Sequence, residues 1–294
     1  MKTSQSVTVI LNPKAGAGRA LRAWQALQPQ FRQQFRHVAY EETEAPGHAT
    51  FLAQEAVRRG TDLVVGVGGD GTLHEIVNGM LPGDTPLGVL PFGTGNDFAR
   101  GLQIPRNLKG AWDVLAARRQ RRIDLGRVHG QYYIQIAGTG FDAMVAERVN
   151  EGGRAGTGPV TYVTTLLRVL LRYQNQPLQL EAEEKVAGKA LLVAVGNTTH
   201  YAGGMKMCPE ADPEDGLLDW IWLGDLTRLE ILRALPLVFT GRHIHISKAR
   251  RGRAPAVTIH GPSHLPVHAD GEVVGHLPAT FEAVPQALTV LAPS

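Results

Sequence analysis

The chain reads as α/β plus β: an N-terminal open parallel α/β domain over residues 1–124, followed by an antiparallel β-sandwich-like domain over 125–284. Residues 285–294 are free to rejoin the first domain. Three observations carry this reading. Apolar strand patterns alternate with helical ones up to about Asp124. Two glycine-rich turns, Gly68-Gly69-Asp70-Gly71-Thr72 and Gly93-Thr94-Gly95-Asn96-Asp97, each close an apolar run in that stretch. Beyond Asp124, short alternating runs separated by Gly, Pro and Asn replace the alternation.

In order, Val7–Leu11 reads as a strand, Ala20–Leu27 as a helix, Val38–Glu42 as a strand and His48–Arg59 as a helix. Asp62–Val67 is nearly continuous apolar with β-branched residues, the pattern of a buried parallel strand. Leu73, Ile76, Val77 and Met80 then recur at helical spacing, so the glycine turn opens a helix whose free N–H groups attract anions. Pro86–Leu90 is the next strand. In the second part, strands are expected at Tyr132–Ile136, Ala190–Val195, Leu218–Leu223, Ile244–Ile246, Val257–Ile259 and Phe281–Val284, with helices at Tyr162–Arg172 and Leu229–Leu237. The final run, Leu288–Leu291, suits a strand of either domain.

At 294 residues and 43% apolar content, the chain can bury a full core, which excludes a disordered protein. A net charge of +3 is too small at this length to imply nucleic-acid binding. The single cysteine, Cys208, excludes a disulfide framework and a multi-thiolate metal site, and fits a cytoplasmic location. The first residues lack the apolar core of a signal peptide. Val160–Leu171 is interrupted by Arg168 and falls far short of the roughly 20 residues that a membrane span needs.

Gly66-Val67-Gly68-Gly69-Asp70-Gly71 satisfies the dinucleotide-binding pattern formally, but the next strand ends in Leu90-Pro91 instead of the acidic residue that would hold a ribose. A Gly-Lys-Ser/Thr triplet is missing, so a Walker loop fails as well. An aspartate inside a phosphate turn makes sense when a divalent cation offsets both charges, so Asp70 points to magnesium.

Asn12-Pro13-Lys14-Ala15-Gly16, the Gly68–Thr72 turn and Pro91-Phe92-Gly93-Thr94-Gly95-Asn96-Asp97-Phe98-Ala99-Arg100 together resemble the catalytic domain of the diacylglycerol kinase family, in order and in spacing. The chain's size is most similar to the bacterial lipid kinases of that family, and the similarity runs from about Val7 to near the C-terminus. The resemblance implies that Asn12 and Gly16 line an ATP site beside Gly68, Gly69, Asp70, Gly71, Thr72, Leu73, His74 and Glu75, with Thr43, Thr94, Asn96 and Asp97 also at the nucleotide. From the residues alone, Thr43 suits a turn and His74 an exposed helix position equally well.

In the second domain the resemblance implies a magnesium ion held by the Asp215 side chain with backbone oxygens of Asp212 and Leu217; hard oxygen donors from one short loop suit that ion. His268-Ala269-Asp270-Gly271-Glu272 resembles the family's late acidic motif. A lipid hydroxyl is a poor nucleophile at neutral pH, so a carboxylate placed to take its proton as it attacks the γ-phosphate would help. Glu272 is assigned as that base and Asp270 as its supporting or metal-binding neighbour, although the two roles are interchangeable at this stage.

Histidines offer no competing metal site. His260, His264 and His268 repeat at helical spacing, but Gly261, Pro262 and Pro266 break the helix that would align them. His243 and His245 would share a strand face, without a third ligand. The basic cluster Arg118, Arg119, Arg121 and Arg122 suits a solvated helix end or an anionic bilayer, and Tyr162–Arg172 is amphipathic enough to lie in an interface.

The expectation is therefore an ATP- and magnesium-dependent lipid kinase that meets its substrate by transient peripheral membrane contact, with its site between the domains. Diacylglycerol, giving phosphatidic acid, is the first substrate to test. An NAD kinase shares the Gly-Gly-Asp-Gly turn and two-domain layout, and a non-catalytic lipid or nucleotide sensor is the alternative from another class.

Overall fold

A computed structural model describes residues 3–151 and 159–293, with side chains described over 5–149 and 164–293. The chain forms two compact units, Met1–Asp124 with Gln286–Ser294, and Leu125–Pro285.

The first unit contains β1 (Thr3–Leu11), α1 (Arg19–Gln34), β2 (Phe35–Glu42), α2 (His48–Arg58), β3 (Val64–Gly68), α3 (Asp70–Met80), β4 (Leu87–Pro91), α4 (Asp97–Gly101) and α5 (Leu108–Ala117). β5 (Gln120–Val128) leads out of it, and the end of β16 (Ala279–Leu291) returns to it. The strands run parallel in the order β2-β1-β3-β4, and Val290 of β16 pairs parallel with Leu87. Every residue of β3 and β4 is buried, as expected for a parallel sheet covered on both faces. One core joins Trp24, Leu27 and Phe31 of α1 to Val7, Val9, Val65, Val67 and Leu90 of the sheet. The chain leaves β1 in one direction to reach β2 and in the other to reach β3 and β4. The sheet therefore has its switch point between β1 and β3, where open α/β sheets bind ligands.

The second unit contains β6 (Gln131–Tyr133), β7 (Ile136–Gly140), α6 (Phe141–Glu151), α7 (Pro159–Arg172), β8 (Gln176–Glu181), β9 (Lys185–Ala190), β10 (Leu192–Gly196), β11 (Leu218–Leu223), α8 (Arg228–Thr240), β12 (Ala249–Ala254), β13 (Ala256–His260), β14 (Pro266–Ala269) and β15 (Glu272–His276). Its six-stranded antiparallel sheet has the order β12-β11-β10-β7-β14-β15. The opposing layer pairs β9, β8, β13 and the first part of β16. Val193, Val195, Trp220 and Val267 of the first sheet share a core with Leu178, Leu180, Val257 and Phe281 of the second, which makes the unit a β-sandwich. The outer face of the six-stranded sheet buries Leu192, Ile221 and Leu223 under Val145 of α6, Leu166 and Leu170 of α7, and Ile231 and Val238 of α8.

Three expected elements differ. Tyr132–Ile136 is two strands, because the Ile134 and Gln135 amides leave the ladder to bond the Asp270 carboxylate. Leu288–Leu291 continues the same strand as Phe281–Val284, which bends where Gln286 takes a φ of 51° and donates its N–H to Asp124. Ile244–Ile246 is not a strand: Gly241 ends α8 with a φ of 72°, and a 3-10 turn, Arg242–His245, follows. His243 and His245 thus share no strand face. His243 is fully buried, its Nε2 lies 3.0 Å from the Met207 carbonyl, and burial holds its pKa below the usual 6.5.

A depressed histidine pKa contributes stability that is complete above the unfolded value and is lost as pH falls through the folded value. Thermal unfolding is therefore expected to shift to lower temperature as the buffer goes from pH 8 to pH 5, with a flatter dependence in His243→Gln. An equal pH dependence in both proteins would contradict this origin.

Candidate active site

Register aligns the ends of the parallel strands of the first unit. Glu42 pairs with Leu11, Leu11 with Val67, and Gly68 with Pro91, so the chain leaves all four parallel strands along one edge. The next residues are Thr43, Asn12, Gly69 and Phe92. Their loops are stitched together by backbone bonds: Thr43 N–H to the Leu11 carbonyl at 2.8 Å, Asn12 N–H to Val67 at 3.0 Å and Phe92 N–H to Gly68 at 2.7 Å.

The glycines permit a close approach. A Cβ on Gly93 would lie 2.6 Å from the Gly69 Cα, and one on Gly16 would lie 2.8 Å from the Phe92 carbonyl oxygen. First, second and third loops therefore touch, and polar side chains tie them further. Asn12 Nδ2 donates to Thr72 Oγ1 at 3.1 Å, and Asp70 Oδ1 accepts the Phe98 N–H at 3.0 Å. Asn96, at a φ of 53° before α4, accepts the Gly93 N–H at 2.6 Å and donates back to the Gly93 carbonyl. Asp97 is buried beside Arg100, whose Nε stands 3.4 Å from its Oδ1. Gly71 and Thr94 are exposed on this edge.

Other residues expected at the nucleotide have structural partners. Leu73 is in the core against Gly66, and its amide donates to the Gly69 carbonyl. His74 is buried, with its Nε2 3.5 Å from Asn78 Nδ2. The Glu75 carboxylate accepts the Ala49 N–H at 3.1 Å and so serves the N-terminus of α2, where a negative charge is favourable. The sequence reading assigned no role to Lys14 and Arg100, the cations these loops add to the edge; their places inside the two motifs were the signal.

The arginine cluster follows the end of α5, where Arg118 is the cap and Arg119 and Arg122 are exposed. Arg118 lies 4.6 Å over the Phe35 ring, Arg121 donates to the Pro293 carbonyl at 3.3 Å, and Arg122 pairs with Asp84 at 3.1 Å. These contacts tie the start of β5 into the first unit.

In the second unit, the Asp212–Leu217 turn is an all-oxygen donor set. Asp212 Oδ1 accepts the Glu214 N–H and Asp215 Oδ1 accepts the Leu217 N–H at 3.0 Å, while Arg253 stands 3.5 Å from the other Asp215 oxygen. Among the described residues, no three His, Cys, Asp or Glu side chains converge as a metal cage. An ion here would rely on one carboxylate, carbonyl oxygens and water, a set that suits magnesium. Negative charge is in local surplus. Burial, helped by Asp215 and Glu210 and opposed by Arg253, pushes the Asp219 carboxyl up to about 6.

The Asp270-Gly271 pair forms the two-residue loop between β14 and β15, with φ values of 51° and 90°. Asp-Gly with both residues left-handed is the hairpin turn that fits the twist of its strands. Asp270 does not face solvent as a free acid. Its carboxylate accepts the N–H groups of Ile134, Gln135 and Ile136 at 2.8, 2.8 and 3.2 Å. Glu272, the first residue of β15, is exposed and is paired in register with Ala269. Of the two acids, Asp270 is tied to the backbone of a neighbouring segment and Glu272 is exposed.

Beneath the hairpin lies a pair that the sequence did not signal as such: His268 Nε2 is 3.1 Å from Asp142 Oδ2, and both side chains are buried.

The family model of the diacylglycerol kinase catalytic domain matches residues 6–128, and that of a YegS C-terminal NAD kinase beta sandwich-like domain matches residues 135–292. A diacylglycerol kinase of Mycobacterium tuberculosis (strain ATCC 25618 / H37Rv) is 36% identical over 299 residues, covering 98% of this chain and 95% of that protein. A diacylglycerol kinase of Staphylococcus aureus (strain Newman) is 33% identical over 255 residues, covering 86% and 81%. Among solved structures, a candidate diacylglycerol kinase of Bacillus anthracis str. Sterne superimposes with a TM-score of 0.83 at 26% identity, covering 100% of this chain and 97% of that one.

Proposed function

The chain belongs to the diacylglycerol kinase family, and from that premise we propose that it transfers the γ-phosphoryl group of MgATP to a lipid hydroxyl, with diacylglycerol as acceptor and phosphatidic acid as product. The observation that carries this reading is the meeting of the Asn12, Gly69 and Gly93 loops at the switch point of the parallel sheet, with Asp70 among them. Backbone N–H groups at the start of α3 suit the polyphosphate, and Lys14 and Arg100 add positive charge. When bound, magnesium at Asp70 would neutralise charge on the β- and γ-phosphates. Asp215, with the Asp212 and Leu217 carbonyls, would hold a second, supporting ion.

In the transfer, the acceptor oxygen forms a bond to the γ-phosphorus, the bridge to the β-phosphate breaks, and the hydroxyl proton passes to Glu272. Little else is required of the protein beyond positioning and charge.

The acceptor is a lipid in this reading because the second unit carries apolar surface that its fold does not use. Leu167 and Leu171 of α7 and Leu229, Leu232 and Phe239 of α8 are exposed, interleaved with Arg168, Arg172, Arg228 and Arg233. A cleft of about 770 Å³ beside α7 is lined by Arg148, Arg168, Arg172 and His264. The side chains of Tyr162 and Val163, which the amphipathic pattern also includes, lie outside the described residues. Among the described residues, no helix is long and apolar enough to cross a membrane; the amphipathic faces of α7 and α8 support the reading of peripheral contact with the lipid.

An NAD kinase remains the rival because the sandwich model that matches residues 135–292 is described as NAD kinase-like. The test is labelled ATP with magnesium, offered dioleoylglycerol in mixed micelles or NAD in aqueous buffer. Label is expected in the micellar lipid alone; label in NAD, or in neither, contradicts the proposal.

A further inference from the structure

We infer that His268 is a positioning residue for phosphoryl transfer, which holds the Glu272 hairpin through the Gly271 backbone and is itself oriented by Asp142; this rests on the reading of Glu272 as base.

The geometry specifies the tautomer. The Gly271 N–H points to His268 Nδ1 at 3.4 Å, so Nδ1 is the acceptor, and Nε2 carries the proton that it donates to Asp142 Oδ2 at 3.1 Å. His268 is 1% exposed and Asp142 is 6% exposed, so the bond between them is closed to water, while Gly271 is half-buried. The imidazole is fixed in orientation as well. Tyr201 stacks on it at 6.1 Å with planes 15° apart, and the other Asp142 oxygen is occupied by the Ala143 N–H at 2.9 Å.

A buried, polar arrangement of this kind costs desolvation, and hydrophobic packing of equal volume would stabilise the sandwich as well or better. Its position suggests what it supplies. His268 lies on β14 where the β14–β15 register slips between Val267 and His268, and bulges of this kind re-aim side chains next to active sites. Asp270 fixes one side of the hairpin tip by its bonds to Ile134, Gln135 and Ile136. His268 holds the peptide that joins Asp270 to Gly271, through the Gly271 N–H. The two residues before Glu272 are thus both tied, and a general base displaced by about 1 Å loses up to a hundredfold in rate.

Two conservative substitutions separate the His268 bonds. In His268→Asn the side-chain oxygen can occupy the Nδ1 position and accept from Gly271, while the Asp142 bond is lost. In His268→Gln the amide NH₂ can occupy the Nε2 position and donate to Asp142, while the Gly271 bond is lost. Positioning through Gly271 predicts that His268→Gln lowers kcat about tenfold to a hundredfold with KM for ATP unchanged, and that His268→Asn stays within about threefold of wild type. Wild-type kcat in His268→Gln, or equal losses in both variants that track thermal unfolding, would overturn the inference.

Imidazole ¹⁵N spectra of the wild-type protein test the same point without a variant. An unprotonated Nδ1 and a protonated Nε2 are expected for His268; a proton on Nδ1 overturns the assignment. Absence of phosphoryl transfer by the wild type would reject the kinase reading itself, whereas the tautomer is read with no substrate present.

Discussion

Glu272→Gln is expected to lower kcat by roughly 10²- to 10⁴-fold, the usual contribution of a positioned general base, while MgATP affinity stays at the wild-type level. Glutamine keeps the size of the side chain and removes its capacity to take a proton. Because the Glu272 side chain is exposed on β15, the substitution should leave thermal unfolding unchanged. Asp270→Ala should behave in the opposite way. It strips three backbone N–H groups of their acceptor, at about 1–3 kcal/mol for each group left buried and unsatisfied, and is expected to lower the unfolding temperature together with activity. Kinetics and thermal melts of the two variants check this division; a melting loss in Glu272→Gln, or an unaltered melt in Asp270→Ala, would reverse the roles given to the two acids.

Gly93→Ala is expected to weaken MgATP binding tenfold or more, a loss of about 1.4 kcal/mol at least. The added methyl would meet the Gly69 Cα, a backbone atom, at 2.6 Å and Asn96 Oδ1 at 2.9 Å, whose amide is held by two bonds to the Gly93 backbone. The second and third loops must therefore separate, which enlarges the phosphate cradle and adds roughly 1–3 kcal/mol of overpacking. Gly71→Ala serves as the control, because a Cβ there meets nothing within 4 Å. Titration calorimetry with MgATP on both variants checks the prediction, and equal affinities would show that the closeness of the loops does not set nucleotide binding.

The parallel half was legible because burial on both faces forces nearly continuous apolar strands, and Val64–Gly68 and Leu87–Pro91 carry that pattern without interruption. The glycines in the turns were legible for a related reason: only a residue without a side chain fits between Gly69 and Gly93. Legibility fell where tertiary contacts override local pattern. β12, Ala249-Arg250-Arg251-Gly252-Arg253-Ala254, is not among the expected strands, since four of its six residues are Arg or Gly, yet it pairs along its whole length with β11 as an edge strand. The 3-10 turn at Arg242–His245 has the β-branched composition of a strand at Ile244 and Ile246, and becomes a turn because His243 is drawn inward to Met207.

The candidate site divides along the same line. Motif residues whose role is a backbone shape, such as Gly16, Gly69 and Gly93, can be read from the chain. Asp142 and His268 are separated by 126 positions and meet only through the packing of α6 on the sheet, so no local pattern announces them. The choice between Asp270 and Glu272 was equally closed to sequence, since it depends on the amides of a strand break more than 130 residues away.

The most direct test of phosphoryl transfer to a lipid is labelled ATP incubated with magnesium and a total lipid extract, using wild type, Asp70→Asn and Glu272→Gln in parallel. A single labelled lipid that co-migrates with phosphatidic acid is expected from the wild type and from neither variant. No labelled lipid from the wild type, or undiminished label from Glu272→Gln, would contradict the account.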